Sequence, residues 1–279
     1  MDDRNVTSSQ KNGIRLATEI NKEVKDKIAE IIELRSTDHF LSPILEDFIY
    51  ATVRALDIGD YHGTMDKRAL FDWAVNRNSD LFNYDELIAP MPKEHGGYPR
   101  YLTYRSAGMF LNHESSNPEA AIGLVFDSTI ITKPYEDMHA VILVGVDKKK
   151  APNTARSLMT YPERVATSMG CSIKSSICTA CGHRVQKDLD FCNCLKYSRG
   201  GRKNGVKVAE LLEEPVFHEQ SVVTQPAAPK SMVMDAVHGS GLVPGKILKV
   251  ASSEFSESTE PIMRTMAAIY NSIRIASSE

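Results

Sequence analysis

Cysteine is absent from most of this 279-residue chain; all five lie between Cys171 and Cys194. A disulfide framework spreads its cysteines through the fold, so this distribution argues against one. It points instead to metal binding in a reducing compartment. Long apolar runs are also lacking. The longest candidate, Ala140 to Val146, has the length of a strand and falls far short of a membrane span. The opening residues, Met1 to Gln10, are polar and carry no apolar stretch of signal-peptide type, so a cytosolic location is expected. Neither sign of charge is in large excess: a net charge of -3 singles out no partner. There is no internal repeat.

What remains is an ordinary globular composition, 42% hydrophobic and 25% charged, in a chain long enough to bury a sizeable core. Ile20, Val24, Ile28, Ile31 and Ile32 fall near one face of a helix over about 14–34. Ser42 as N-cap and Pro43 at the first helical position predict a second helix over 42–56. From about Lys67 the pattern turns to short strands: 69–75, 101–111, 122–132, 138–146, 165–173 and 216–224, with short helices over 83–88 and 153–159. The Ser/Glu stretch 252–260 reads as a linker, and 262–275 as a last amphipathic helix. The expected class is α+β, with a β-rich, barrel-like core and peripheral helices. The expected organisation is an N-terminal helical appendage (1–66), a core (67–229) and a C-terminal linker and tail helix (230–279).

Within the core lies a cysteine-rich insert, 174–207. Cys178 and Cys181 form a C-x-x-C knuckle followed by Gly182, and Cys192 and Cys194 follow after ten intervening residues. Four thiolates suit the tetrahedral preference of a structural zinc site with no open position. Cys171 is an alternative to Cys194 as the fourth ligand. The insert carries eight Lys or Arg against two Asp, but its only aromatics are Phe191 and Tyr197. That is too few stacking residues for a nucleic-acid surface, and a solvated face or a dock for an acidic protein is expected.

Three segments carry candidate chemistry. The first is Leu111-Asn112-His113-Glu114, then Asn117-Pro118-Glu119 and Ile122-Gly123. The second is Ala166-Thr167-Ser168-Met169-Gly170. The third runs from Phe217-His218-Glu219-Gln220-Ser221 through Gln225-Pro226-Ala227. A serine hydroxyl becomes a nucleophile when an imidazole takes its proton, and a third group orients that imidazole. On a strand over 165–173, Ser168 shares a small, polar face with Ala166, Gly170 and Ser172, while Val165, Met169 and Ile173 share the other, which can pack the core. By the same alternation Glu219 shares a face with Phe217, Ser221 and Val223.

These segments, in this order, resemble the prohead (capsid maturation) proteases of tailed bacteriophages, relatives of the herpesvirus assemblins. In that family an N-H-D/E segment leads to an I-G strand entry, an S-x-G strand carries the nucleophile, and a segment of the type E-V-S-x-V-x-x-P-A follows. The stretch Asn76-Arg77-Asn78-Ser79-Asp80 also resembles one seen early in some phage members, and some carry a cysteine-rich insert in a similar place. The resemblance spans about Lys67 to Pro229. One position departs from it: Gln220 stands where the family prefers an apolar residue. The resemblance implies an assemblin-like serine endopeptidase acting in the host cytoplasm, inside the assembling prohead. Its substrates would be scaffold and major capsid proteins, with self-cleavage, and neither nucleic acid nor membrane is expected as a partner. It implies His113, Ser168 and Glu219 as catalytic residues, with His139 and His218 as alternatives for the third. Two other classes remain: a non-cleaving structural or scaffold-associated protein on the same fold, and a zinc-ribbon binding module.

Overall fold

The structure, a computed structural model, describes residues 28–35, 38–59, 69–132 and 137–238. Its longest strand is β1 (Phe48–Gly59), buried at every position except Arg54. This corrects the helix expected over 42–56: only a short 3-10 turn, Leu45–Asp47, precedes the strand. A strand buried on both faces has no polar alternation, and a short apolar run then reads equally well as helix. Its Ile, Val, Thr, Tyr and Phe residues suit a pleated surface packed on both sides.

The expected strands over 122–132, 138–146, 165–173 and 216–224 are found as β4 (Gly123–Ile131), β5 (His139–Asp147), β6 (Ala166–Ser172) and β12 (Val216–Val223). The expected short helices are found as α1 (Tyr84–Ile88) and α2 (Pro152–Thr160). Two expectations are corrected. Residues Ala69–Ala74 form a 3-10 helix rather than a strand, followed by β2 (Asp80–Asn83). Segment 101–111 is divided between a 3-10 helix, Arg100–Tyr104, and β3 (Gly108–Leu111). The insert contributes β7 (Ser175–Cys178), β8 (Arg184–Val185), α3 (Asn193–Ser198), β9 (Arg202–Lys203) and β10 (Val206–Lys207), and β11 (Glu210–Glu213) leaves it. A final strand, β13 (Val233–His238), was not foreseen; it pairs with β1 and lies beyond Pro229.

Eleven strands form one large sheet in the order β6-β12-β3-β4-β5-β1-β2-β11-β7-β8, with β13 also on β1, and β9 and β10 pair with each other in a separate two-stranded sheet. The fold is therefore α+β and mostly β, and the residues expected as an appendage supply its central strand. One side of the β4-β5-β1 region packs the main core, through Ile49, Val53, Val125, Ile142 and Val144. The other side is covered by the helical residues 28–35: Ile32, with Ile28 and Ile31, seals Phe48, Tyr50, Phe126 and Leu143. Among the described residues the sheet does not close into a barrel. Its nearest approach to closure is an isolated bridge, Ala166↔Met232, flanked by Thr167 N donating to Ser231 O (2.9 Å) and Val233 N to Val165 O (3.0 Å). The linker and helix expected over 252–275 lie outside the described residues, as does most of the helix expected over 14–34. Among the described residues no helix is long and apolar enough to cross a membrane.

Candidate functional site

The three sequence segments meet on adjacent strands. β12 runs between β3, its parallel neighbour, and β6, its antiparallel one. In that register Ser221 lies opposite Ser168, and Glu219 opposite Gly170. Residues directly opposite share a face, so Ser168, Gly170, Glu219 and Ser221 all project from one side of the sheet.

A β-bulge makes this possible. The register shifts between Phe217 and Glu219, which oppose the adjacent residues Cys171 and Gly170. The extra residue, His218, turns the strand over. Phe217 therefore enters the core, stacked on Tyr104 at 4.0 Å between ring centroids, while Glu219 faces the opposite way. This corrects the expectation that Phe217 and Glu219 share a face. Gln220, opposite Met109 and Met169, consequently points into the core, fully buried, and among the described residues neither amide atom has a hydrogen-bond partner.

His113 reaches the same face from the end of β3. Asn112 and His113 both adopt left-handed backbone conformations, φ 48° and 63°. Asn and His are among the residues that tolerate this region best. Asn112 N still donates to Val222 O (3.0 Å), so the chain curls back over β12 instead of leaving it. The Asn117-Pro118-Glu119 turn then caps itself, with Asn117 Oδ1 accepting from Glu119 N (3.0 Å), and leads into β4. At the start of β4 a side chain on Gly123 would run into the Gly145 carbonyl, which explains the glycine there.

The result is a histidine–carboxylate pair. His113 Nδ1 donates to Glu219 Oε1 at 2.6 Å. The Glu219 side chain is 6% exposed and that of His113 45%. Ser221, which sequence reasoning had not singled out, ties the pair together: its hydroxyl donates to Glu219 Oε2 and accepts from His113 N (3.2 Å). Both oxygens of a buried carboxylate are thus engaged, as a buried charge requires. Gly170 leaves the space for it; a Cβ there would sit 2.5 Å from Glu219 Oε1. Of the candidates for the partner of His113, Glu219 is the one that touches it. His139 Nδ1 bonds Asp137 O (2.5 Å), and His218 Nε2 bonds Ser172 Oγ (2.8 Å). Burial pushes the His139 imidazole below its usual pKa. Ser168 is 8% exposed and borders a small cleft with Met169, Asn76, Ala227 and Ser231. No hydrogen bond joins it to His113 among the described residues.

The second site lies in the insert. The sulfurs of Cys178, Cys181, Cys192 and Cys194 all lie within 4.8 Å of one another, with Cys181 and Cys192 at 3.5 Å. Zinc–sulfur bonds of about 2.3 Å put tetrahedral sulfurs about 3.8 Å apart, so the cluster fits a metal ion. Gly182, φ 74°, turns the knuckle and donates to Cys178 O at 2.8 Å. Cys192 stands at the N-terminal boundary of α3 and Cys194 lies within it, which brings the second pair of thiols in. Cys178 and Cys194 are buried with Val185, Leu195 and Val208 in a small separate core. Lys203 Nζ approaches Cys194 Sγ at 3.1 Å, a cation beside a group that ligates as an anion. Cys171 lies on β6, packed against the main core, where burial pushes its thiol up to about 12. The four converging cysteines are therefore those expected, with Cys194 and not Cys171 as the fourth. They can bind a metal. In comparisons with known proteins, no family model, no curated protein and no solved structure matches this chain.

Proposed function

We propose that the chain is a serine endopeptidase. One observation carries the reading: buried Glu219 is bonded to Nδ1 of a half-exposed His113, on the sheet face shared by Ser168. In this mechanism Ser168 Oγ attacks the carbonyl carbon of a peptide bond while His113 Nε2 takes the hydroxyl proton. Glu219 fixes the tautomer and stabilises the imidazolium. The C–N bond breaks as His113 returns the proton to the leaving amine. Water then attacks the acyl-serine, with His113 again as base. Ser221 holds the far oxygen of Glu219 and the backbone of His113. Proton transfer needs the imidazole to swing toward β6, and nearly half of its side chain is open to solvent.

The three motif segments lie on neighbouring strands, which supports an assemblin-like fold and a role as a prohead protease. Its substrates would then be phage scaffold and capsid proteins, cut inside the assembling head in the host cytoplasm. Zinc is the metal we propose for the four thiolates, in a structural role. The test is self-shortening: freshly expressed protein should be cleaved, and Ser168→Ala should stop it. A second reading, a non-cleaving structural protein on the same fold, is favoured by the missing His113–Ser168 hydrogen bond. Wild-type protein that stays intact, alone and with capsid and scaffold proteins, would establish that reading instead.

A further inference from the structure

The turn Asn76–Asp80 takes no part in the chemistry above, yet it lines the cleft beside Ser168 and is held by several hydrogen bonds. Asn76 Oδ1 accepts from Asp80 N (2.9 Å), and Asn76 Nδ2 donates to Asp80 Oδ2 (3.1 Å). Ser79 sits at φ 66° and its carbonyl accepts from Glu210 N (2.8 Å).

Two arginines tie this turn to different parts of the molecule. Arg199 follows α3, the helix that carries Cys194. Its Nε donates to Asn78 O (3.0 Å), Nη2 to Asp80 Oδ1 (3.2 Å), and Nη1 pairs with Glu210 Oε1 (2.6 Å). Its guanidinium also lies over the Phe191 ring, 5.7 Å from the centroid. On the other side, Arg77 N donates to Ala227 O (2.8 Å) and its Nη1 to Pro226 O (3.3 Å). Ala227 and Ser231 wall the cleft that Ser168 borders, and so does Asn76 itself. Ser231 continues the chain: its amide bonds Ala228 O (2.9 Å), its hydroxyl bonds Ala55 O (2.9 Å), and its carbonyl accepts from Thr167 N, next to Ser168.

We propose that the cysteine insert braces the wall of the cleft beside Ser168, with Arg199 and the Asn76–Asp80 turn as positioning residues. The physical reason lies in α3. At six residues it is too short to hold itself, and its local core is small. Thiolates clamped on a metal at Cys192 and Cys194 fix its position, and Arg199 carries that order across to the turn. Losing the clamp frees Arg199, and the turn and the 226–231 wall lose their support together.

Amide hydrogen exchange on the metal-loaded full chain tests this without reference to any activity. Arg199→Ala should keep its metal. It should speed exchange at the Arg77 and Ser231 amides about tenfold, the size of coupling that a packed hydrogen-bonded link carries. Amides of β4 and β5 should be unchanged. Chelating the metal from wild-type protein should produce the same pattern, and Lys187→Ala, an exposed insert lysine, should not. Unchanged exchange at Arg77 and Ser231 in Arg199→Ala would overturn the proposal. Should Arg199→Ala lose its metal, Asn76→Ala applies the same test from the other side, and unchanged Ser231 exchange there refutes it. A cleavage arm rests on the peptidase reading: Arg199→Ala should raise KM more than it lowers kcat. Absence of any cleavage in wild-type protein would sink that reading but leave the exchange result standing.

Discussion

Gly170→Ala isolates the geometry of the histidine–carboxylate pair. The added methyl would lie 2.5 Å from Glu219 Oε1, 2.9 Å from Cγ and 3.1 Å from Cδ. Glu219 is buried and bonded at both oxygens, so it cannot move aside without losing His113 or Ser221. Overpacking a filled site costs about 1–3 kcal/mol, and replacing a strand glycine recovers about 0.5–1 kcal/mol of chain entropy. The expected net destabilisation is about 0–2.5 kcal/mol by these figures, read as a shift of the urea midpoint at constant slope. The same substitution in a Glu219→Ala background meets no carboxylate. There only the entropy gain remains, so the sign should reverse and Gly170→Ala should be neutral or slightly stabilising. Such a reversal measures the coupling of the two residues, since the three nearest atoms to the added methyl all belong to Glu219. Cleavage by Gly170→Ala should fall by more than its loss of stability explains, since the orienting carboxylate is displaced. A cost that is the same in both backgrounds would refute this reasoning.

Purified protein should carry about one zinc per chain. Cys178→Ser should lose it, and Cys171→Ser should keep it; metal analysis finding none, with four freely reacting thiols in folded protein, would reject the site. Ser168→Ala and His113→Ala should each abolish cleavage with the fold intact, and Glu219→Ala should lower it less, by assay of purified variants. Burial holds the His139 pKa below that of the unfolded chain. Its contribution is therefore complete above the unfolded pKa of about 6.5 and is lost as the pH falls through the lower folded value. Denaturant midpoints should decline below that pH, and His139→Leu should flatten the slope; an unaltered slope would count against it. If the tail is self-processed, mass spectrometry should find a product ending between Val250 and Pro261, absent in Ser168→Ala, whereas wild-type protein that keeps Glu279 would exclude processing.

The sequence alone determined the features that depend on local spacing. The C-x-x-C knuckle and its partner C-x-C marked the thiol cluster, because ligand spacing is a short-range property. The strands β4 and β5 were legible as short runs rich in β-branched residues, and β6 and β12 as short stretches on either side of the cysteine-rich segment. His113, Ser168 and Glu219 were identified as a set of segments, and no spacing could have said that β12 would lie between β3 and β6. Tertiary structure decided the rest. β1 looked helical because a strand buried on both faces loses the alternation that betrays strands. β13 escaped notice because only its pairing with β1 makes it a strand. Glu219 shares the expected face with Ser221 but not with Phe217, because the bulge at His218 reverses the alternation between them. Gln220 went inward for the same reason. The sequence put Cys194 in the thiol set with Cys171 as the alternative, and spacing alone did not decide between them. They separate only because α3 carries one toward the knuckle and β6 holds the other against the core.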